Sequence, residues 1–492
     1  MYTTAEDRLI GASATLLEAG LTLRDYQEDG VDWMFRLEQQ GQSGILADDP
    51  GLGKTLQTLA LCDDWVEGDS PTLIVVPTSI IDQWADLARQ LYGPLAVYLH
   101  HGRRRHSHLW EMPRTRVVIT TYGLLLHDPA LQTKHWHRAV LDEIHYIKNH
   151  RSRTAQAAYR LQATFRWGLS GTPVQNTPRE TKALFRFVLG LDGNARQTDL
   201  DLPLLIRNRL LRRTKQTHLT LPEIQIATSE IDFETEREAK FYRRVQQDVS
   251  EEFQELSQLD LATTDSMLEL LLRLRQTSCH PQLVLNGLSR KYGVQPKPWT
   301  GHSSKHLHLI RMLESHRGEA ALVFCQFTEE MDLLQTLLRE HGFRSARLDG
   351  SLSNQERRLT LDRCRRPGEI EVCLIQIRAG GVGLNLQEFN RVYLTSPDWN
   401  PCNEIQAIAR AHRMGQQRPV TVTKLVLSGV DATQPEGTAP QSMVDSRILD
   451  IQDRKRLLMS DLLGEPDLLH NGCRHRRARL TRSDWKRLLR TT

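Results

Sequence analysis

The chain has 492 residues, a length that at about 150 residues per domain predicts two large domains or three smaller ones, with a core that needs no disulfide or metal staple. Its composition, 39% hydrophobic and 25% charged, is that of an ordinary globular protein. No apolar run approaches the roughly 18 residues a membrane span requires, which argues against a membrane protein. The net charge of +4, from 64 basic and 60 acidic residues, neither demands nor excludes a polyanionic partner, because a basic groove can hide in a near-neutral sum. Seven cysteines without a C-x-x-C pair argue against a disulfide framework and a zinc ribbon. With no basic-then-apolar leader over Met1 to Ala14, the expected compartment is intracellular and reducing: the nucleus in a eukaryote, otherwise the cytoplasm.

In chain order, buried-strand candidates fall at Ser43–Ala47, Thr72–Val76, Val117–Thr121, Ala139–Asp142 and Trp167–Ser170, then at Ala320–Cys325, Val372–Gln376, Val392–Thr395 and Val420–Leu427. Apolar runs of this length, separated by helix-length segments, indicate parallel sheets covered on both faces. Met331, Leu334 and Leu338 recur at helical period before Gly342, and Ser353-x-x-Glu356 reads as a capping box. The fold class expected is α/β, with lobes over 1–195 and 303–430. Between them, 196–302 reads as a helical insertion (Glu234 to Leu285) and a Gly/Pro/Ser linker (Asn286 to Ser304). The remainder, 431–492, holds a surface loop, a helix from Met443 to Leu463, and a tail with eight Lys or Arg after Cys473. That tail is either solvated or in contact with phosphates.

The sharpest motif is Asp48-Asp49-Pro50-Gly51-Leu52-Gly53-Lys54-Thr55, after a strand and before a helix. Glycines let backbone N–H groups approach phosphate oxygens, the helix N-terminus adds positive potential, and Lys54 places a cation on the β and γ phosphates. Thr55 is expected to offer its hydroxyl to Mg²⁺. The strict P-loop pattern fails at its first position, where Asp48 stands. Downstream, the strand Ala139–Asp142 ends in Asp142-Glu143. Asp142 is expected to hold Mg²⁺ through water, and Glu143 to orient and deprotonate the attacking water. In the other lobe Arg410 and Arg413 stand at i and i+3, expected on one face of a helix. Arginines on a γ-phosphate are worth about 10³–10⁵ in rate, and in that role they couple hydrolysis to lobe closure.

Together these motifs resemble the sucrose-nonfermenting family of superfamily-2 helicase-like ATPases, which are DNA translocases and chromatin remodellers. The resemblance runs in order from Leu23 to Leu463. Leu23-Arg24-Asp25-Tyr26-Gln27 resembles the adenine-recognising segment, and LIVVPTSIIDQW (Leu73–Trp84) and Thr120-Thr121-Tyr122 resemble the next two motifs. Asp142-Glu143-Ile144-His145 stands at the DEAH-like box, and LSGTPVQN (Leu169–Asn176) at the coupling motif. LRRTK (Leu211–Lys215) and LRQTSCHPQL (Leu274–Leu283) resemble signatures of the helical inter-lobe region. LVFCQFT, RLDGS, RAGGVGLNL, Asp398-Trp399-Asn400-Pro401 and RAHRMGQ follow in the second lobe.

The resemblance implies two RecA-like parallel-sheet lobes, a helical inter-lobe insertion and a C-terminal bracing helix. It implies ATP and Mg²⁺ as cofactors, with ATP held by Tyr26, Gln27, Asp48, Gly51, Leu52, Gly53, Lys54, Thr55, Gly383 and Gln406. His145, Ser170 and Thr172 are implied as coupling residues. The implied partner is double-stranded DNA, tracked without sequence preference through Thr78, Ser79, Thr120, Thr121, Arg378, Asn385 and Trp399, with a DNA-bound protein as the remodelling target. A monomeric motor or a subunit of a complex fits equally. A transcription- or repair-associated DNA-dependent ATPase and a catalytically weak DNA-binding scaffold stay open as alternatives.

Two positions depart from the family pattern: Pro50, which has no N–H to offer a phosphate, and Ile144, bulkier than the family's alanine. His100, His101, His106 and His108 around Arg103–Arg105 read as a solvated loop rather than a zinc site. Trp33, Trp84 and Trp167 read as core, and Trp485 in the basic tail as a possible stacking platform for a single strand.

Overall fold

The computed structural model describes residues 4–102, 112–174, 177–191, 200–259, 263–380, 384–428 and 443–463. Described residues up to Leu221, with 459–463, belong to one compact unit, and those of Pro222–Leu458 to the other. Among the described residues no helix is long and apolar enough to cross a membrane.

In the first unit, the elements run α1 (Ala5–Glu18), α2 (Asp25–Gln39), β1 (Ile45–Leu46), α3 (Lys54–Leu61), β2 (Thr72–Val76), α4 (Ile81–Tyr92), β3 (Val97–Leu99), β4 (Val117–Thr121), α5 (Tyr122–His127), α6 (Pro129–Thr133) and β5 (His135–Asp142). They continue with α7 (Arg153–Tyr159), β6 (Gln162–Leu169), α8 (Pro178–Val188), α9 (Leu202–Arg209), β7 (Leu210–Leu211) and α10 (Lys215–His218). The strands form a parallel sheet in the order β3-β4-β2-β5-β6-β1-β7. Every residue of β2 and β4 is buried, as strands covered on both faces must be.

At the base of β5, Arg138 is fully buried and grips Glu38 of α2 with two bonds of 2.7 Å, while donating to Asp64 at 2.8 Å. Trp167 adds its indole N–H to Glu38 at 2.9 Å. Burial alone raises the Asp64 carboxyl; Arg138 and Arg8 beside it overcome that and hold it down to about 2. This cluster fixes the start of β5 and hence the position of its far end.

The second unit contains β8 (Ile224–Ile231), α11 (Glu236–Gln258), α12 (Thr264–Cys279), α13 (Pro281–Tyr292), α14 (Ser304–Ser315), β9 (Ala321–Cys325), α15 (Thr328–Glu340), β10 (Ser345–Leu348), α16 (Asn354–Arg365), β11 (Val372–Gln376), α17 (Ile377–Gly380), β12 (Arg391–Leu394), α18 (Pro401–Ile408), β13 (Val420–Leu427) and the start of α19 (Val444–Leu463). Its parallel sheet has the order β10-β11-β9-β12-β13-β8. Ser353 and Glu356 make the expected reciprocal cap at the start of α16. Asp445 at the start of α19 is wholly buried. It accepts from Ser278 at 2.8 Å and from the Leu427 N–H at 3.0 Å, and pairs with Lys305 at 2.5 Å. One carboxylate thereby ties α12, β13, α14 and α19 together.

The parallel α/β lobes stand as expected, with several corrections. The stretch Glu234 to Leu285 is largely helical in its described residues and carries α11, α12 and the first part of α13. The linker expected from Asn286 begins later, because α13 continues through Leu288, Arg290 and Lys291 and stops at Gly293, the left-handed cap. LRRTK does not lie in the helical region: Leu210–Leu211 pairs beside β1 as an edge of the first sheet. His100 is not solvated. It is buried, and its Nε2 meets Asp128 at 2.8 Å, because the chain turns inward after β3. His106, His108, Arg103–Arg105, Trp485, the basic tail and residues 429–442 of the surface loop lie outside the described residues.

Candidate nucleotide site

The site is built at the C-terminal ends of the first sheet's strands, where open α/β sheets receive ligands. After β1 the chain turns through Gly51 (φ +97°) and Gly53 (φ +80°), both in the left-handed region, before α3 begins at Lys54. A Cβ at Gly53 would lie 2.2 Å from the Gln27 side-chain nitrogen, so glycine is needed there for space as well as for φ. The Lys54 ammonium donates to the Asp48 carbonyl at 2.6 Å. It is thus held over the loop.

Asp48 holds the loop from below. Its buried carboxylate receives Arg213 through two bonds, 2.9 Å and 2.5 Å, and the Gln57 amide at 3.1 Å. Arg213 also donates to Gln57 at 2.7 Å and to the Tyr26 carbonyl. Gly30 is obligatory here, since a Cβ would come within 2.1 Å of Gln57 and 2.4 Å of Arg213. Arg212 bridges the Ala47 and Gly171 carbonyls at 3.1 Å each and meets Asp49 at 3.2 Å. Gln27 and Tyr26 both donate to the Leu52 carbonyl, at 3.0 and 3.3 Å. The Gln27 oxygen accepts the Arg24 N–H at 3.0 Å. The segment expected to read the base is therefore welded to the phosphate loop. Burial raises the Tyr26 phenol.

At the tip of β5, Asp142 is buried. Its Oδ2 accepts the Trp84 indole N–H at 2.8 Å and its Oδ1 the Glu143 N–H at 2.9 Å. Burial, reinforced by Glu143, pushes the Asp142 carboxyl up to about 6 against the pull of Trp84 and Lys54. Glu143 is the one described non-glycine residue with a positive φ, +51°, strain of the kind that functional turns hold in place. Tyr122 braces this turn by donating to the Asp142 carbonyl at 2.7 Å, with its ring stacked on Tyr146 at 4.7 Å. His145 Nδ1 lies 3.2 Å from Glu143 Oε2. Ser170 follows β6, fully buried, and accepts the Thr172 N–H at 3.1 Å.

Both departures from the family pattern meet a glycine. Pro50 packs on Gly171, where a Cβ would come within 2.6 Å of the proline ring, and Ile144 packs on Gly168, where it would come within 2.4 Å of the isoleucine tip.

The other expected site residues are placed as follows. Thr78 is exposed and Ser79 half-buried in a 3₁₀ turn after β2. Thr120 and Thr121 are buried: Thr120 donates to the His100 carbonyl at 3.1 Å and Thr121 caps α5 at 3.4 Å. Arg378 is exposed, and Asn385 keeps a buried side-chain oxygen without a partner among the described residues. The Trp399 ring packs against the cluster built on α11, α12 and α19 and carries the Lys455 ammonium 5.1 Å from its centroid. Gln406 is buried on α18. Arg410 and Arg413 are not on a helix, a correction to the expectation: α18 ends at Ile408, and i→i+3 bonds tighten the chain into turns through Arg410 and Ala411. Arg413 donates to the Leu384 carbonyl at 3.2 Å, and burial lowers its guanidinium from the ordinary value. Gly383 lies outside the described residues.

No group of three or more metal-ligating side chains occurs among the described residues. Mg²⁺ takes one or two carboxylates plus substrate phosphates and water rather than an all-protein cage. Asp142 at the strand tip and Thr55 in the first turn of α3 are the residues that would supply oxygens to such an ion. Sequence reasoning missed the roles of Trp84, read as core; of Arg213, read into a helical region; of Tyr122, which stands in the Thr120-Thr121-Tyr122 motif without a part assigned to it; and of Gln57, which no motif singles out.

Two family descriptions match the chain: the SNF2-related domain over residues 26–197 and the helicase conserved C-terminal domain over 304–415. The chain is 31% identical over 440 residues to the mouse SWI/SNF-related matrix-associated actin-dependent regulator of chromatin subfamily A member 1, covering 83% of this chain and 41% of that protein. It is 30% identical over 465 residues to the ISWI chromatin-remodeling complex ATPase ISW2 of Saccharomyces cerevisiae, covering 86% and 40%. It therefore spans about two fifths of the length of these relatives. The solved Sulfolobus solfataricus SWI2/SNF2 ATPase core in complex with dsDNA aligns at 24% identity over 96% of this chain and 97% of that one, with a TM-score of 0.39.

Proposed function

We propose that this chain, which belongs to the SNF2 family of superfamily-2 helicase-like ATPases, hydrolyses ATP in response to double-stranded DNA and uses that hydrolysis to move along the duplex and displace bound protein. The observation that carries the reading is Lys54, held over a two-glycine loop after β1, with the buried Asp142 and the strained Glu143 at the C-terminal tip of β5 in the same sheet. The Lys54 charge pulls the Asp142 carboxyl down against the effect of its burial.

In this reading the loop N–H groups from Gly51 to Thr55 cradle the phosphates, and Lys54 exchanges the Asp48 carbonyl for the β and γ oxygens. Gln27 and Tyr26 bound the base side of the site. Asp142 and Thr55 hold Mg²⁺, which neutralises developing phosphate charge when bound. Glu143 accepts the proton of the attacking water. Arg410 and Arg413 are the proposed cations for the charge that develops on the γ-phosphate. Ser170, Thr172 and His145 connect the nucleotide to the DNA-facing side. The remodeller names of the relatives support duplex DNA as partner. Thr78, Ser79 and Arg378, exposed or half-exposed at strand ends, are the proposed backbone donors, giving sequence-independent, salt-sensitive binding.

The test is ATP-dependent displacement of a third strand annealed to a duplex. Displacement with ATP, absent with Glu143→Gln and with a non-hydrolysable analogue, is expected. DNA-stimulated hydrolysis without displacement would overturn movement while leaving the ATPase intact.

A further inference from the structure

We propose that Trp84 is a positioning residue for Asp142, and that through it the Thr78–Ser79 segment sets how firmly the nucleotide's divalent cation is held. This rests on the nucleotide reading above. β2 and β5 are neighbours in register, Val75 opposite Leu141. The chain leaves β2, makes the short turn Thr78–Ile80 and enters α4, whose first turn carries Trp84. The buried indole then reaches across to the tip of β5 and donates to Asp142 Oδ2 at 2.8 Å.

A tryptophan serving only as core needs any acceptor for its N–H. Trp136 takes one in the Leu131 carbonyl, at 2.9 Å. Trp167 meets a carboxylate, but one already neutralised by Arg138 and Arg8. Asp142 has no such arginine. Among the described residues its one side-chain donor is Trp84, and the Glu143 N–H takes its other oxygen at 2.9 Å. The two donors fix the carboxylate plane from opposite ends and leave a lone pair on each oxygen for cation-bound water. Partners of metal ligands placed in this way typically govern affinity by roughly 10–100-fold. Thr78 and Ser79 stand on the same continuous segment, within two helical turns of Trp84. A phosphate taken up there presses on the start of α4 and therefore on the indole.

The experiment is Mn²⁺ binding by electron paramagnetic resonance, with a non-hydrolysable ATP analogue, with and without duplex DNA. Trp84→Phe keeps a ring and deletes the donor. It is expected to weaken Mn²⁺ binding roughly 10–100-fold and to abolish the tightening that DNA produces in wild type, while metal-free binding of the analogue stays within about twofold. Trp84→His, with a ring N–H, is expected to recover part of the affinity. In wild type, which needs no variant to fold, bound Mn²⁺ is expected to broaden one indole N–H resonance selectively. Unchanged Mn²⁺ affinity in Trp84→Phe, or a change in thermal unfolding alone, would overturn the proposal. Wild type that binds no Mn²⁺–nucleotide at all would sink the nucleotide reading itself.

Discussion

Asp48 and Arg213 form a two-pronged ion pair inside the first unit, Nε to Oδ1 at 2.9 Å and Nη2 to Oδ2 at 2.5 Å, with the carboxylate fully buried. A strict P-loop has glycine where Asp48 stands; here the loop takes its shape from a charge pair with Arg213, just after β7 and about 165 residues away in sequence. Removing one partner of a buried pair leaves an uncompensated charge, at a cost of about 3–5 kcal/mol, whereas neutralising both costs much less. Arg213→Gln is therefore expected to destabilise the first unit by about that amount, and Asp48→Asn combined with Arg213→Gln to recover more than half of it. Urea unfolding followed by tryptophan fluorescence checks this, and equal losses in the single and double variants would contradict it.

Glu143 is strained at φ +51° and braced by Tyr122 through the preceding carbonyl. Because its proposed role is proton transfer, Glu143→Gln is expected to lower kcat by about 10²–10⁴-fold with nucleotide affinity nearly unchanged. Tyr122→Phe keeps the ring stacked on Tyr146 but loses one hydrogen bond, and a loss of about 1 kcal/mol in stability is expected with a smaller fall in kcat. Steady-state kinetics beside equilibrium nucleotide binding separates the two effects.

Pro50 and Gly171 join the phosphate loop to the segment after β6. Gly171→Ala would put a Cβ 2.6 Å from the proline ring, which cannot rotate away, so overpacking of about 1–3 kcal/mol is expected. That strain falls on the loop that holds phosphate, so KM for ATP should rise about tenfold, in line with roughly 1.4 kcal/mol. Pro50→Ala in the same chain should restore it. A Gly171→Ala variant with unaltered KM would show that the loop does not feel this contact.

The four strands that sequence patterning did not find, β3, β7, β8 and β10, are the four sheet edges. The strands between them are mostly buried and rich in apolar residues because both faces are covered, which is why Thr72–Val76, Val117–Thr121, Val372–Gln376 and Val420–Leu427 were legible to the residue. An edge strand lacks that signature. β8 (IQIATSEI) is mostly exposed along its length and is held by pairing with β13, about 200 residues later. The same long range hides Arg213, whose partner lies far from it in sequence. Trp84 was legible as a buried ring but not as a donor, since burial periodicity says nothing about where an indole N–H points. The local chemistry of the loop and of Asp142-Glu143 was legible because it lies within short contiguous motifs. The arginine turn was misread because the i, i+3 spacing of Arg410 and Arg413 suits a helix, yet the chain had already begun to tighten after Ile408.

In the second unit His306 is wholly buried, and its ring lies 5.2 Å from that of His280. Burial lowers both groups, with His280, His302 and Lys305 adding repulsion at His306; His280 falls to about 4 and His306 lies well below the ordinary value. Folded-state values below the unfolded value of 6.5 mean that the unfolded chain binds more protons, so this stabilisation is complete above about pH 6.5 and is lost as pH falls. His306→Leu should therefore gain on wild type by up to about 1.4 kcal/mol for each pH unit below 6.5. Unfolding measured from pH 7.5 to 5 checks this, and a difference that is flat with pH would contradict it.

Whether the nucleotide site answers to duplex DNA is read from steady-state ATP hydrolysis. The rate is measured without nucleic acid, then with duplex DNA, single-stranded DNA and RNA, for wild type, Lys54→Ala and Glu143→Gln. Strong stimulation by duplex DNA, absent in both variants, is the result this account predicts. Hydrolysis indifferent to nucleic acid, or retained in the Glu143→Gln variant, would contradict it.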